Sequence, residues 1–492
     1  MSAADRRTHY QVTFTVLAAA VAAYALLQSL VTPVLTTVQA ELHTSQDNAT
    51  WALTAYLLSA SVFTPIMGRI GDMKGKKRVF VLTLGALAVG SLLAAVAANI
   101  AVMIVARAIQ GIGGGVLPLA FGIIRDEFPR EKVTGAVGML ASLAAVGGGL
   151  GIVLAGPIVN LLGFHWLFWI PMIMTVAGAV AAAVVLPESG ERTPGQISWL
   201  PALLLSAWLV ALLVALSEAP VWGWGSGKVI GLLVAAVVAV LGWILAESRA
   251  ATPLIDLKMM RLTAVWTNNL VAVLIGVGMY AVFAFLPDFL QTPTSAGYGF
   301  GASITQSGLI LLPASVTMFF VAMYAGRMAA KVGGKLLVVA GCAIGAVSMA
   351  ILAFAHHDKW ELFLSTAIMG VGFGLAFAAM SGLIVAAVPP EQTGVASGMN
   401  ANIRTIGGSI GAALMASLVT SDLEPNGLPK ESGYTNGFAM LVGALILATL
   451  AALLIPGAGK LGRPAGGPDP AEPEHAELAA LAAGTVVGDK SE

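Results

Sequence analysis

Charge is scarce in this sequence. Asp, Glu, Lys and Arg together supply 10% of its 492 residues, where a water-soluble domain carries about 25%. So few charges cannot solvate the surface of a chain this long, which excludes a soluble fold and leaves lipid as the solvent. Cysteine occurs once, as Cys342 in an apolar run; an intramolecular disulfide is excluded, and packing is the reading rather than redox chemistry. Net charge is missing too: the formal value is +0, so the basic footprint of a nucleic-acid binder is absent. The six histidines form no metal constellation along the chain, and His356-His357 beside Asp358 reads as a solvated loop. No Gly-Lys-Ser/Thr follows any glycine run, so none of them is a phosphate loop. No nucleophile–base pair or nucleotide-binding domain stands out, which argues against an enzyme, a cofactor and ATP as an energy source.

What the chain has in quantity is apolar length. It is 58% hydrophobic with 57 glycines, and its mean hydropathy is +0.89. A membrane-crossing helix needs about 20 mostly apolar residues. Such runs fall near 12–38, 49–69, 79–98, 101–124, 133–157, 166–186, 197–217, 229–248, 264–290, 305–328, 335–355, 361–387, 393–419 and 436–456. The first follows a short polar start with no small-residue cleavage pattern, and reads as a retained span rather than a secretory signal. Small residues suit such helices, because close approach replaces the hydrophobic effect between them.

Basic residues test the topology. With both termini placed inside, only Lys228, Lys359 and Lys430 of the 25 Lys and Arg residues fall on outside loops, and Arg107 and Arg404 fall within spans. The rest lie inside, the bias expected of an N-in, C-in protein.

The chain also repeats itself. Thr134-Gly135 recurs as Thr393-Gly394, and Gly111-Ile112-Gly113 as Gly370-Val371-Gly372. Gly68-Arg69 recurs as Gly326-Arg327, and Gly147-Gly148 with Gly151 recurs as Gly407-Gly408 with Gly411. All four offsets agree within two residues. The expected fold is therefore all-α integral membrane: two six-helix bundles related by this repeat, plus two inserted central helices, fourteen spans in all. The expected divisions are a cytoplasmic segment at 1–11, a first bundle at 12–186, inserted helices and linkers at 187–262, a second bundle at 263–456 and a disordered cytoplasmic tail at 457–492, rich in Pro, Gly, Ala and Glu. Two related bundles around a central cavity are the repeat logic of alternating-access carriers.

Between the second and third runs lies Gly68-Arg69-Ile70-Gly71-Asp72-Met73-Lys74-Gly75-Lys76-Lys77-Arg78. A positive-inside loop accounts for the basic residues but not for the ordered Gly68, Asp72, Gly75 and Arg78. This stretch resembles the loop signature of the major facilitator superfamily. Arg107 with Gln110-Gly111 resembles the family's span-four motif, whose arginine lines the cavity of proton-driven exporters. Gly147, Gly151, Gly156 and Pro157 resemble its span-five antiporter motif, with Ile152 where a Gly-Pro pair is expected and the proline displaced to Pro157. The two inserted helices, Trp222-Gly223-Trp224, and Pro253-Leu254-Ile255-Asp256-Leu257 narrow the resemblance to the fourteen-span drug:proton antiporters.

The resemblance implies a plasma-membrane secondary transporter, taken to be monomeric, that exports hydrophobic or amphipathic molecules against inward proton flow. An aspartate usual in span one is replaced here by Gln28, which cannot titrate. Among the remaining acids, Asp288 is expected as the proton-coupling partner, with Arg107 tuning the cavity. Tyr24, Gln28, Trp51, Tyr56, Gln110, Asn268, Asn269, Tyr280, Asn400 and Arg404 are expected around the substrate, aromatic and amide groups suiting flat apolar ligands. Two arginines against one acid leave a second reading open, an anionic metabolite as cargo. A non-transporting membrane sensor on the same fold is the third.

Overall fold

The computed structural model describes residues 10–188, 198–250, 253–389, 392–424 and 428–457. The expected tail past Gly457 and the first nine residues of the expected N-terminal segment lie outside the described residues. Fourteen long helical segments run through the described residues. The first bundle holds α1 (Tyr10–Leu30, carried on through Thr32–Val34 to Leu35–Glu41), α2 (Gln46–Lys74) and α3 (Lys76–Ala95). Next come α4 (Ile100–Gly111, then Val116–Glu127), α5 (Arg130–Leu162) and α6 (Trp166–Val185). Helices α7 (Trp199–Trp222) and α8 (Gly227–Arg249) follow. The second bundle comprises α9 (Thr263–Gln291), α10 (Ile304–Val332), α11 (Gly334–Phe354), α12 (Lys359–Ala387), α13 (Thr393–Val419) and α14 (Glu431–Ala452).

Thirteen helices among the described residues are long and apolar enough to cross a membrane. Helix α13 falls short because Ser397, Asn400, Asn402, Arg404 and Ser409 interrupt its apolar run; all five line a central cavity, as described below. Orientation is written in the helix ends. Lys74, Arg125, Arg249 and Lys331 occupy the last turns of α2, α4, α8 and α10, whereas no odd-numbered helix ends on a basic residue. Even-numbered helices therefore end on the cytoplasmic side, where the cation also meets the negative end of the helix dipole.

Several boundaries depart from the sequence expectation for local reasons. Asn99 caps α4, its side chain accepting from the Val102 amide at 3.0 Å, which makes the tight turn after α3. Helix α4 is broken by a 3-10 turn over Ile112–Gly115, where consecutive glycines offer no side chains to hold the α-geometry. Helix α14 starts at Glu431 rather than near 436 and stops at Ala452.

The repeat survives as matched contacts. In the first bundle the Ser59 hydroxyl on α2 donates to the Ala108 carbonyl on α4 at 2.5 Å. In the second, the Thr317 hydroxyl on α10 donates to the Ala367 carbonyl on α12 at 2.8 Å. Glycine placement agrees: a Cβ at Gly111 would stand 2.4 Å from Ser59, and one at Gly370 would stand 2.1 Å from the Thr317 hydroxyl. Gly147 and Gly151 press on α1, and their counterparts Gly407 and Gly411 press on α9. Each bundle is thus held by backbone approaches that any larger side chain would prevent.

The two bundles meet through the same symmetry. A Cβ on Gly68 of α2 would lie 3.1 Å from the Gly394 backbone of α13, and one on Gly326 of α10 would lie 3.1 Å from the Gly135 backbone of α5. Gly68 corresponds to Gly326, and Gly135 to Gly394, in the sequence repeat. Both contacts lie at cytoplasmic helix ends and close that side. Leu205 and Leu209 of α7, Trp243 of α8 and the linker residues Leu254 and Ile255 form one apolar cluster with Val395 and Met399 of α13. Helix α8 otherwise faces outward, with 17% of its most apolar stretch buried.

Replacing Gly68 by Leu is expected to force α2 and α13 apart. The check is labelling of a cysteine placed at Ser397 by a membrane-impermeant maleimide in inverted vesicles. Labelling should rise several-fold in Gly68→Leu and stay at the parent level in Gly85→Leu, since a Cβ at Gly85 meets nothing within 4 Å. Equal labelling in both variants would remove the glycine contact as the cytoplasmic seal.

Candidate functional site

Between the bundles lies a cavity of about 470 Å³, the size of a small organic ligand. Tyr24 and Gln28 line it from α1, Tyr56 from α2 and Arg107 from α4; Tyr280 and Phe283 line it from α9, Phe377 from α12, and Asn400 and Arg404 from α13. Among the described residues that line it there is no aspartate or glutamate.

Arg107 is fully buried. Its Nε donates to the Ala52 carbonyl at 3.2 Å and its Nη1 to the Gln110 side-chain oxygen at 2.8 Å. Gln110 is held in turn, its amide nitrogen donating to the Ser91 hydroxyl at 3.1 Å. The guanidinium stands 4.5 Å from the centre of the Tyr56 ring, which is worth about 2 kcal/mol when water is excluded. Its Nη2 meets no hydrogen-bond acceptor. Arg404, half-buried, lies 4.9 Å from the Phe377 ring centre. Neither guanidinium has a carboxylate within 4.0 Å among the described residues.

The remaining expected cavity residues divide by role. Gln110 sits behind the wall and orients Arg107. Asn269 also lies behind the wall, its Oδ1 accepting from the Asn400 amide at 2.9 Å. The Asn268 amide donates to the Ala264 carbonyl one turn earlier, at 2.6 Å. Trp51 is half-buried in α2, outside the lining. Asp288 is also outside the lining: it is exposed near the outer end of α9, its Oδ2 accepting from Tyr434 at 2.6 Å.

Below the cavity, the loop residues gather at the cytoplasmic closure. Gly75 turns the chain at φ +105°, ending α2 and starting α3, a conformation that only glycine adopts without strain. Asp72 is buried within about 3.5 Å of where a Gly394 Cβ would be, at the first turn of α13, so the positive end of that helix faces its carboxylate. Lys76, buried itself, bonds Asp126 through both carboxylate oxygens at 2.9 Å and stands 3.9 Å from Asp72. Gly122 leaves room for the Lys76 stem, which a Cβ there would meet at 2.8 Å. Arg78 points away, exposed, its Nε 3.5 Å from Glu188. Of the span-five residues, Gly147 and Gly151 face α1, while Gly156 presses on Thr305 of α10 across the bundle interface. Helix α5 continues past Pro157 to Leu162.

Two features escaped the sequence reading. Arg125, taken only as part of the inside charge, reaches into the other bundle. It donates to the carbonyls of Val385 and Val388 at the end of α12, and to the Thr393 hydroxyl at 2.7 Å. Those carbonyls belong to a helix end that needs outside donors. Helix α7 forms cavity wall: Leu213, Leu216, Ser217 and Pro220 line it, and Ser217 pairs with Thr54 of α2 at 3.2 Å. A serine and a proline interrupting an apolar run were the available signal.

Gln110→Leu is expected to leave the Arg107 Nη1 proton unmet, a loss of about 1–3 kcal/mol. A lower unfolding temperature of the detergent-purified protein, with Gln110→Glu milder than Gln110→Leu, is the outcome to look for; equal melting of Gln110→Leu and the parent would show that Gln110 does not hold the arginine.

Known proteins share this architecture and much of this sequence. The tetracenomycin C resistance and export protein of Streptomyces glaucescens is 30% identical over 388 residues, 78% of this chain and 71% of the relative. A multidrug resistance protein B homolog of Mycobacterium tuberculosis is 30% identical over 391 residues, 77% of this chain and 71% of that one. The crystal structure of the human organic anion transporter MFSD10 superposes with a TM-score of 0.66 at 16% identity, covering 92% of this chain and all of that one, a likeness of fold. The sequence pattern of the Major Facilitator Superfamily matches residues 17–412 and again 269–483. By fold, by internal repeat and by sequence, the chain belongs to the major facilitator superfamily of membrane transporters.

Proposed function

We propose that this transporter exports amphipathic molecules with a flat apolar body and an anionic or strongly hydrogen-bond-accepting group. The observation that carries the reading is the charge of the cavity wall: two guanidiniums and, among the described residues, no carboxylate. A buried unpaired cation costs several kcal/mol, and a bound anionic or carbonyl oxygen would offset that cost with a charge-assisted hydrogen bond. Tyr24, Tyr56, Tyr280, Phe283 and Phe377 supply flat faces, and Asn400 a donor and acceptor to fix orientation. A cationic cargo would meet like charge on both bundles. Relatives named for tetracenomycin C export and multidrug resistance support outward transport of such molecules.

The bundles α1–α6 and α9–α14 rock about the α5–α10 contact in this reading. Breaking the Arg125 latch and parting Gly68 from Gly394 opens the cytoplasmic face. The setting is the cell membrane, with a monomer as the working unit. The proton gradient drives export, as the resemblance to drug:proton antiporters implies. Since the described cavity lining carries no carboxylate, the coupling acid sits away from the substrate site, toward one membrane face or the other. Asp288 under the Tyr434 hydroxyl and Asp72 at the cytoplasmic closure are the two groups so placed.

The test uses proteoliposomes under an imposed pH gradient with a fluorescent amphipathic anion and a cation of the same ring system. The anion should be moved, with Arg107→Gln and Arg404→Gln each lowering its initial rate about 10- to 100-fold, as expected for one charged hydrogen bond of about 1.5–3 kcal/mol. Preferential movement of the cation, unaffected by Arg404→Gln, would sink the substrate assignment. Asp288→Asn and Asp72→Asn, run alongside, separate the two coupling sites: the variant that uncouples anion flux from the gradient marks the acid.

A further inference from the structure

The outer ends of α11, α12 and α14 bring together three groups far apart in sequence. His356 and His357 occupy the turn between α11 and α12, and Glu431 opens α14. One ligand atom from each lies within 4.8 Å of the other two. The pair His356-His357 looked like a solvated loop because its third member is 75 residues away. The fold brings together two histidines and a carboxylate that the sequence leaves apart.

The hydrogen-bond chemistry of His356 decides what belongs there. This ring is 4% exposed, and its Nδ1 lies 2.7 Å from the Leu352 carbonyl oxygen. A carbonyl oxygen only accepts, so Nδ1 carries the hydrogen and donates it. In the neutral imidazole Nε2 then presents a lone pair. That lone pair faces the Glu431 carboxylate, 3.1 Å away, itself an acceptor. At this distance the two are joined either by a shared proton or by a metal ion. A histidine whose far nitrogen donates to a backbone carbonyl is the usual form of a metal-ligating histidine. Two ligand atoms on one tetrahedral zinc ion stand about 3.4 Å apart, given metal–ligand bonds of about 2.1 Å, close to the observed separation.

His357 supplies the third ligand. Its ring is exposed and tilted against that of His356, and its Nδ1 is 3.9 Å from the same Glu431 oxygen. Its backbone is held firmly: the amides of His357 and Asp358 both donate to the Glu361 carboxylate at 2.9 Å, which caps α12. The bed beneath is rigid and apolar. His356 stands edge-on to Phe289 of α9 at 5.3 Å between centres, and Phe289 packs against Tyr434 and Phe438 of α14.

We propose that His356, His357 and Glu431 form a binding site for a zinc-class divalent cation on the outer face of the second bundle. Two imidazoles and one carboxylate, with the fourth position left to water, suit zinc and its neighbours rather than calcium or magnesium, which prefer all-oxygen shells. An ion here ties the α11–α12 turn to the first turn of α14, one turn before the Tyr434–Asp288 bond. It takes its ion from the external medium and is independent of the central cavity.

The experiment titrates Co2+ into the full chain, purified in detergent without a polyhistidine tag, following the visible absorption of tetrahedral cobalt and its displacement by Zn2+. One equivalent should bind, with affinity lowered at least about tenfold in His357→Ala, the cost of losing one of three ligands. Glu431→Gln should do the same. Zn2+ should raise the unfolding temperature of the parent but not of His357→Ala, an exposed position whose replacement leaves the core intact. No saturable cobalt band, or a band unchanged in both variants, would overturn the site and leave a His356–Glu431 hydrogen bond in its place.

Discussion

How near one backbone can come to another sets the architecture of this protein. In lipid no hydrophobic effect drives helices together, so association rests on dispersion and weak polar contacts, both of which need close approach. Glycine supplies it at four helix pairs in matched positions: α2 with α4, α10 with α12, α1 with α5 and α9 with α13. The same device is used between bundles at Gly68–Gly394 and Gly326–Gly135. Those two contacts have different jobs in the proposed cycle: Gly68–Gly394 would part to open the cytoplasmic face, while Gly326–Gly135 belongs to the α5–α10 contact about which the bundles would rock. Glycine contacts suit the first task, being tight by shape while carrying few strong directional bonds to break.

Onto this symmetric frame the chain lays asymmetric charge. Arg107 in α4 has Thr366 at the corresponding place in α12, and Gln110 has Met369. The second bundle contributes its own guanidinium from α13 instead, at Arg404. The cytoplasmic closure is similarly one-sided: Asp72 under the α13 N-terminus is matched by Ala330. Repeat symmetry therefore builds the walls and the bundle contacts, while departures from it place the cation pair in the cavity and a buried acid at the cytoplasmic helix ends. A site made of departures leaves only isolated polar residues for a sequence reader to find.

That difference marks what the sequence made legible. Helix count, orientation and bundle pairing followed from apolar runs, basic ends and the glycine repeat, since each rests on a property that lipid imposes along the chain. Tyr24, Gln28, Tyr56, Tyr280, Asn400, Arg404 and Arg107 were all placed around the cavity by being polar or aromatic at mid-span depth, and all line it. Depth alone does not say which way a side chain points around its helix. Gln110 and Asn269 share the right depth yet lie behind the wall, supporting Arg107 and Asn400. Asp288, expected by depth among the remaining acids, lies exposed near the outer end of α9, outside the cavity lining. Long-range partners were invisible for the plainest reason: Arg125 with the α12 carbonyls, and His356 with Glu431, are separated by 260 and 75 residues.

The inserted pair α7–α8 shows why a carrier of this shape gains from extra helices. Helices α2 and α13 touch near their cytoplasmic ends, from Gly68–Gly394 to the Asn402 amide on the Ser61 carbonyl. Farther out, α7 contacts both: Ser217 pairs with Thr54 of α2, and the Trp224 indole just past α7 donates to Ser417 of α13 at 2.8 Å. Without α7 the gap between them would expose the cavity to acyl chains, and Arg404 would face hydrocarbon on its open side. A charge there costs several kcal/mol more than one in a water-filled pocket. With α7 in place, Leu213 and Leu216 complete the wall, and α8 takes the lipid-facing position. The two-arginine cavity and the inserted helices are thus one arrangement: the charge that would hold an anionic cargo is tolerable because an added helix keeps lipid away from it.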